Sequence, residues 1–282
     1  MSTVILRYAA FTDRGQGGNP AGVVLDARDL SEAQMQRMAA EVGYSETAFV
    51  RPGDCPGRFV VRYFSPRAEV DFCGHATVAT AVAMAERGEP GAVHFETAVG
   101  EVPVQTQRDE AGELVATLTS APTQTRAVAP EVLDQALSAL GWSRDELDPA
   151  FPAHVGFAGN QHLLLSARTR ERLASLDYDF DALGRLMDAQ GWTTVHLFWR
   201  ESRTVFHARD PFPPGGVVED PATGAAAAAF GGYLRSLDLV EGEPMLTVHQ
   251  GGDMGRPSLL QVDLSTPDDR IAVTGAAGII TA

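Results

Sequence analysis

The residue of this chain best suited to moving a proton is Glu46, which sits between Ser45 and Thr47 and is bracketed by Tyr44 and the apolar run Ala48-Phe49-Val50. Burial disfavours the charged form of a carboxyl group and raises its pKa, so a half-desolvated Glu46 would be poised to take up a proton near neutrality and return it. An exposed glutamate at a strand end is the plain alternative. Two pentads offer further chemistry: Cys73-Gly74-His75-Ala76-Thr77 and Pro221-Ala222-Thr223-Gly224-Ala225, each leading into an Ala-rich helical stretch. Small residues at a helix start (Gly74, Ala76, Ala222, Gly224, Ala225) leave backbone N–H groups uncovered, and the positive end of the helix dipole favours an anion there. Close helix packing would explain the same residues. His75 at a helix start could be a cap. Glu219 and Asp220 immediately precede the second pentad, and at least one of them is expected to cap its helix. Gln250, in Val248-His249-Gln250-Gly251-Gly252, suits substrate contact or no role at all. Cys73 is either an activated thiol or a small buried hydrophobe.

Composition narrows the partners. A formal net charge of −15 and a pI near 4.8, without a Lys/Arg cluster, exclude nucleic acid and anionic membrane surfaces as expected partners. No apolar run approaches a bilayer-spanning length, and the start Met1-Ser2-Thr3-Val4-Ile5-Leu6-Arg7 lacks a leader pattern, so a cytoplasmic location is expected. The seven histidines and two cysteines show no metal-ligand spacing, and no Gly-x-Gly-x-x-Gly fingerprint appears, so neither metal nor nucleotide cofactor is expected.

The elements that must position these residues occur twice. Gly43-Tyr44-Ser45-Glu46-Thr47-Ala48-Phe49-Val50 is echoed 148 residues later by Gly191-Trp192-Thr193-Thr194-Val195-His196-Leu197-Phe198, and Phe64-Ser65-Pro66 by Phe212-Pro213-Pro214 at the same offset. That shift lays Cys73 on Pro221 and His75 on Thr223. Gly18-Asn19 matches Gly159-Asn160 at 141, and Val93-His94 matches Val248-His249 at 155. Each copy opens with a capped amphipathic helix: Ser31 with Gln34 as a capping box, Met35, Met38, Ala39 and Val42 as the stripe and Gly43 as the stop; then Asp179, Leu183, Leu186, Met187 and Gly191. The stretches Ala76 to Arg87 and Ala225 to Leu234 have no charged residue in their first turns and should be buried central helices. The expectation is therefore two similar domains, 1–122 and 130–282, each a sheet wrapped around such a helix, with the ligand site in the cleft between them. Ionisable residues unique to one copy (Glu46 against Thr194, His75 against Thr223, Asp220 against Phe72) then ask for a functional explanation.

The combination Gly18-Asn19-Pro20-Ala21-Gly22-Val23-Val24, Ser45-Glu46-Thr47-Ala48-Phe49, Cys73-Gly74-His75-Ala76-Thr77, Glu219-Asp220-Pro221-Ala222-Thr223-Gly224 and Gln250-Gly251 resembles the PhzF-like (phenazine biosynthesis-like) isomerases. The resemblance implies an α+β fold of the diaminopimelate epimerase type: two pseudo-symmetric domains, each a mostly antiparallel sheet rolled around a central helix. It implies a homodimer without cofactor or metal, and a small anionic substrate whose proton is shifted by Glu46. His75 and Asp220 would assist, and Asn19, Cys73, Gly74, Ala76, Thr223, Gly224, Ala225 and Gln250 would line the substrate site. One departure stands out: relatives often carry serine where this chain has Ala225, which bears on the substrate. Racemases and epimerases of the same fold use one cysteine from each copy. Cys73 fills the first position, and Pro221, which the offset of 148 places second, has no proton to give. The alternatives are such a racemase using Glu46 with Cys73 or His75, or a binding protein that has kept the fold.

Overall fold

The computed structural model describes residues 3–240 and 242–281. The chain divides into two compact units, residues 1–119 with 274–282, and residues 120–273.

The first unit contains β1 (Leu6–Ala10), β2 (Asn19–Val24), α1 (Glu32–Val42), β3 (Glu46–Pro52), β4 (Arg58–Phe64), β5 (Glu69–Val70), α2 (Gly74–Ala85), β6 (Ala92–Thr97), β7 (Gly100–Arg108) and β8 (Leu114–Thr119). The second contains β9 (Gln124–Ala127), α3 (Pro130–Leu140), β10 (His154–Phe157), β11 (Gln161–Ser166), α4 (Arg170–Ala174), α5 (Phe180–Gln190), β12 (Trp192–Arg200), β13 (Val205–Phe212), β14 (Val217–Asp220), α6 (Gly224–Ser236), β15 (Met245–Gln250) and β16 (Ser258–Asp263). β17 (Ala272–Ile279) then returns to the first unit.

In the first unit the pairings β1–β2, β2–β3, β3–β4, β4–β6, β6–β7, β7–β8, β8–β17 and β17–β1 close an eight-stranded barrel. β2–β3 and β4–β6 are parallel, each bridged by a helix. Here the backbone departs from the domain bounds read in sequence. The stretch left between the two expected domains, 122–130, carries β9, paired with β10, and residues 274–282 belong with the first unit rather than the second. Closure is the physical reason: without β17, β1 and β8 would each expose a row of unpaired N–H and C=O groups.

α2 fills this barrel, packing on β1, β2, β3, β7 and β8, with every residue from His75 to Ala83 buried. Its Ala, Val and Thr composition makes that possible. Thr77 and Thr80 turn their hydroxyls back to the carbonyls of Cys73 and Ala76, both at 2.7 Å, so neither brings an unsatisfied polar group inside. α6 takes the same place in the second unit, against β9, β10, β11, β12 and β16.

The repeat holds in register. β2 and β3 run parallel with Ala21 beside Glu46, and β11 and β12 run parallel with His162 beside Thr194, displaced by the two offsets of 141 and 148. The capping devices recur as well. Ser31 and Gln34 form the reciprocal box on α1, and Gly43 ends it at φ 72°. Asp179 accepts from the Ala182 amide on α5, and Gly191 ends it at φ 69°.

The offset fails at the central helices. Cys73 is the N-cap residue of α2 and Thr223 that of α6, each followed by glycine and each accepting the amide four residues on. Cys73 therefore corresponds to Thr223, not Pro221, and His75 corresponds to Ala225, not Thr223. β14 spans four residues where β5 spans two, which supplies the shift.

Candidate active site

Glu46 is the first residue of β3, and the parallel partner strand β2 approaches it closely. Gly22 lies beside Thr47, and a Cβ at Gly22 would meet the Thr47 hydroxyl at 2.5 Å, so only glycine lets the strands pair here. Behind the strands, Thr77 of α2 shares a 2.7 Å hydrogen bond with the buried Tyr63 hydroxyl of β4, fixing the helix start. Burial pushes the Tyr63 phenol up, so this hydroxyl stays neutral.

On this frame the Glu46, Cys73 and His75 side chains converge. The Cys73 thiol lies 3.5 Å from Glu46 Oε2, and its sulfur lies 3.3 Å from His75 Nδ1 and 3.8 Å from Nε2. His75 Nε2 is 3.4 Å from Glu46 Oε2 and 3.4 Å from the Ser45 hydroxyl. The side chains of His75 and Glu46 keep 8% and 16% of their exposure, so the carboxylate is largely but not wholly removed from water. Burial lowers the His75 pKa more than the Glu46 charge and a hydrogen bond to the Pro20 carbonyl raise it. A neutral imidazole has one ring nitrogen left as an acceptor, open to a hydrogen from Ser45 or from Cys73. Asn19, the first residue of β2, is also buried. The sequence showed no metal-ligand spacing, yet the structure brings a Glu/Cys/His donor set to within 4.8 Å. Ser45 is a member of this group that the sequence reading did not single out, and only its place beside Glu46 pointed to it.

The second unit builds a different group at its own helix start. Thr223 donates to Asp220 Oδ2 at 2.6 Å, and the Gln250 amide bridges the turn, accepting from the Thr223 N–H at 3.1 Å and donating to the Asp220 carbonyl at 2.8 Å and to the Thr223 hydroxyl at 3.1 Å. Gln250 is 2% exposed with both ends of its amide engaged. It acts here as a brace for the turn rather than as a free contact group. Gly251 is required beside it, since at φ 73° a Cβ would strike the Arg256 carbonyl oxygen at 2.3 Å. Neither Glu219 nor Asp220 caps α6, as the sequence reading had expected of one of them. Glu219 makes a two-point ion pair with Arg209 at 2.8 and 2.9 Å, and Asp220 accepts from the capping residue's hydroxyl.

The side chains of the N-cap residues Cys73 and Thr223 make no capping hydrogen bond to α2 or α6. The amides of Gly74, His75 and Ala76 start one helix and those of Gly224, Ala225 and Ala226 the other, as an anion-binding helix start requires. Two buried histidines complete the second unit's interior. His162 Nδ1 lies 2.8 Å from the Thr194 hydroxyl, and His196 Nδ1 lies 2.7 Å from Asp210.

Comparison with known proteins gives one consistent result. Residues 8–282 match the family described as phenazine biosynthesis-like protein (PhzC-PhzF). An uncharacterized isomerase of Deinococcus radiodurans is 35% identical, with 96% of this chain and 89% of that protein covered. The trans-2,3-dihydro-3-hydroxyanthranilate isomerase of Pseudomonas chlororaphis is 34% identical over 89% of this chain and 86% of its own length. Among solved structures, the PhzF-family protein of Bacillus anthracis superposes with a TM-score of 0.87 at 29% identity, covering 100% of this chain and 98% of that one. A probable proline racemase from Agrobacterium radiobacter, at 13% identity and a TM-score of 0.66, shares the fold.

Proposed function

The chain belongs to the phenazine biosynthesis-like (PhzC-PhzF) family and is an isomerase, and from that premise we propose that Glu46 takes a proton from a carbon of a small anionic substrate and returns it to another atom of the same molecule. The observation that carries this reading is the pairing of a largely buried carboxylate with a buried, neutral imidazole and a thiol at an uncapped helix start. A carboxylate shielded from water holds an abstracted proton long enough to give it back. His75, kept neutral by burial, can accept a hydrogen from Ser45 or from Cys73 beside Glu46 without competing for the substrate proton. The helix-start amides supply fixed dipoles for the substrate's carboxylate, and these need no reorganisation as charge moves. Asp220, oriented by Thr223 and Gln250, is the assisting polar group of the second unit. No cofactor enters the scheme, and the family resemblance supports a homodimer as the working form.

The substrate class is a small cyclic or amino-acid-like carboxylate. Trans-2,3-dihydro-3-hydroxyanthranilate, the compound in the Pseudomonas relative's name, is the first probe. Glu46→Gln keeps the shape of the side chain but cannot carry a proton. With any substrate that the wild type turns over, it should lose turnover by roughly 10⁴-fold, the upper end of general acid–base contributions, while the circular dichroism spectrum is unchanged. Substrate deuterated at the donor carbon should retain part of its label at the acceptor atom in ordinary water. Near-normal turnover by Glu46→Gln, or complete wash-out of label in every turnover, would reject the single-base shuttle.

A further inference from the structure

The Glu46, Cys73 and His75 cluster has a property that proton transfer does not use. We propose that it is a binding site for Zn²⁺, through which the metal inhibits the enzyme. In a tetrahedral zinc site with Zn–S about 2.3 Å and Zn–N and Zn–O about 2.05 Å, donor atoms lie about 3.5 Å apart along sulfur edges and about 3.3 Å apart between N and O. The separations here are 3.5 Å from sulfur to Glu46 Oε2, 3.3 and 3.8 Å from sulfur to the two imidazole nitrogens, and 3.4 Å from His75 Nε2 to Glu46 Oε2. The imidazole–carboxylate distance is long for a hydrogen bond, whose N···O separation is about 2.9 Å. It matches the edge of a coordination tetrahedron instead.

The chemistry of the three donors fits as well. Thiolate, imidazole and carboxylate are the ligand types zinc takes, and three protein ligands with a fourth position open is the pattern of sites where the metal keeps a water or ligand. A thiolate and a carboxylate balance the two positive charges of the ion. Rotation of the imidazole about its Cβ–Cγ bond is the one adjustment needed, because the sulfur now lies beside both ring nitrogens. Binding releases the Cys73 thiol proton to solvent as the Zn–S bond forms, and no oxidant or reductant takes part. The bound metal would occupy the carboxylate oxygen that receives the substrate proton, so inhibition rests on the role proposed for Glu46. Metal binding itself does not.

Cobalt(II) serves as a coloured probe of the same site. One equivalent per chain added to the purified, chelator-treated protein should produce a near-ultraviolet thiolate-to-cobalt charge-transfer band and visible bands of tetrahedral intensity, and Zn²⁺ should bleach both. Cys73→Ser should abolish the charge-transfer band. Glu46→Gln should weaken binding by roughly 100-fold or more, since loss of an outer-sphere partner alone costs 10–100-fold. A matched circular dichroism spectrum guards against misfolding in either variant. Zn²⁺ at its binding concentration should stop turnover, and a chelator should restore it. Absence of a stoichiometric charge-transfer band in the wild type, or its persistence in Cys73→Ser, overturns the site. A normal band with turnover unaffected by saturating Zn²⁺ overturns the inhibition. The spectra need no substrate, so they stand or fall separately from the isomerase reading.

Discussion

Burial of His162 should give the second unit a steep acid limb well above the pH at which carboxylates titrate. The ring is fully buried between β11 and β12, and desolvation lowers its pKa from 6.5 to about 4, the negative charge of Asp210 opposing the shift and His196 adding to it. Native His162 stays neutral down to about pH 4, whereas the unfolded chain takes up a proton near 6.5. Between these values the unfolded state binds more protons, so the contribution is complete above pH 6.5 and is lost as the pH falls toward 4. At about 1.4 kcal/mol per pKa unit, the 2.5-unit difference amounts to about 3 kcal/mol, of which about 2 kcal/mol should disappear between pH 7 and pH 5. The tryptophans Trp142, Trp192 and Trp199 all lie in the second unit, so their fluorescence during urea unfolding reports on this unit. His162→Leu removes the titration. It also strips the Thr194 hydroxyl of its partner, at about 1 kcal/mol that is independent of pH. The variant should start lower at pH 7 and fall less steeply, by about 2 kcal/mol, on the way to pH 5. Parallel curves for wild type and variant over that range, or a native His162 titrating near 6.5 by NMR, would refute the argument.

Gln250→Leu leaves the Asp220 carbonyl and the Thr223 N–H without their amide partner, so urea unfolding should show a loss of about 1–3 kcal/mol, and turnover should fall as the Asp220 turn loosens. Ser31→Ala and Asp179→Ala remove equivalent caps from α1 and α5 and should each lower stability by about 1 kcal/mol, with turnover kept. Ala225→Ser adds a hydroxyl at the second residue of α6, where the side chain is partly exposed. If it reaches a substrate carboxylate, kcat/KM toward trans-2,3-dihydro-3-hydroxyanthranilate should rise roughly tenfold or more, the worth of a charged hydrogen bond of about 1.5 kcal/mol.

What could be read from the sequence were features whose cause is local. The Ser31–Gln34 box, the Asp179 cap and the terminating Gly43 and Gly191 follow from backbone groups within one turn, and the structure has all of them. α2 announces its burial because Gly74–Ala85 offers no polar face. The two-residue slip at the central helices was hidden because the offset of 148 is correct on both α1/α5 and β3/β12, and only the length difference between β5 and β14 breaks it. The return of β17 to the first unit left no mark, since nothing in the sequence of a strand says which sheet edge it closes. Gln250 in a Gly-rich turn suits substrate contact by its type alone, and its burial depends on Gly251 letting the chain fold back against Arg256. The Glu/Cys/His group depends on a parallel register and a barrel closing around α2, and neither can be seen in the spacing of residues 46, 73 and 75.

The repeat places like backbone positions in both units, and the side chains at those positions divide the work. At the helix cap the first unit has the Cys73 thiol and the second the Thr223 hydroxyl, which is already shared between Asp220 and Gln250. Two residues on, the first unit has an imidazole and the second the methyl of Ala225. At the strand start Glu46 is matched by Thr194, which is 1% exposed and hydrogen-bonded to His162. Every group able to carry a proton at these positions therefore lies in the first unit, while the second unit answers with hydrogen bonds committed to its own turn. A two-base racemase needs an acid and a base on opposite faces of one carbon, and the duplicated positions would be the natural source of both. Corrected by two residues, the second thiol position holds a threonine whose alcohol is a far weaker acid than a thiol and is already engaged. The duplicated positions therefore offer no second thiol, and under the proposed function Glu46 would move the proton between two atoms of one substrate by carrying it out and back.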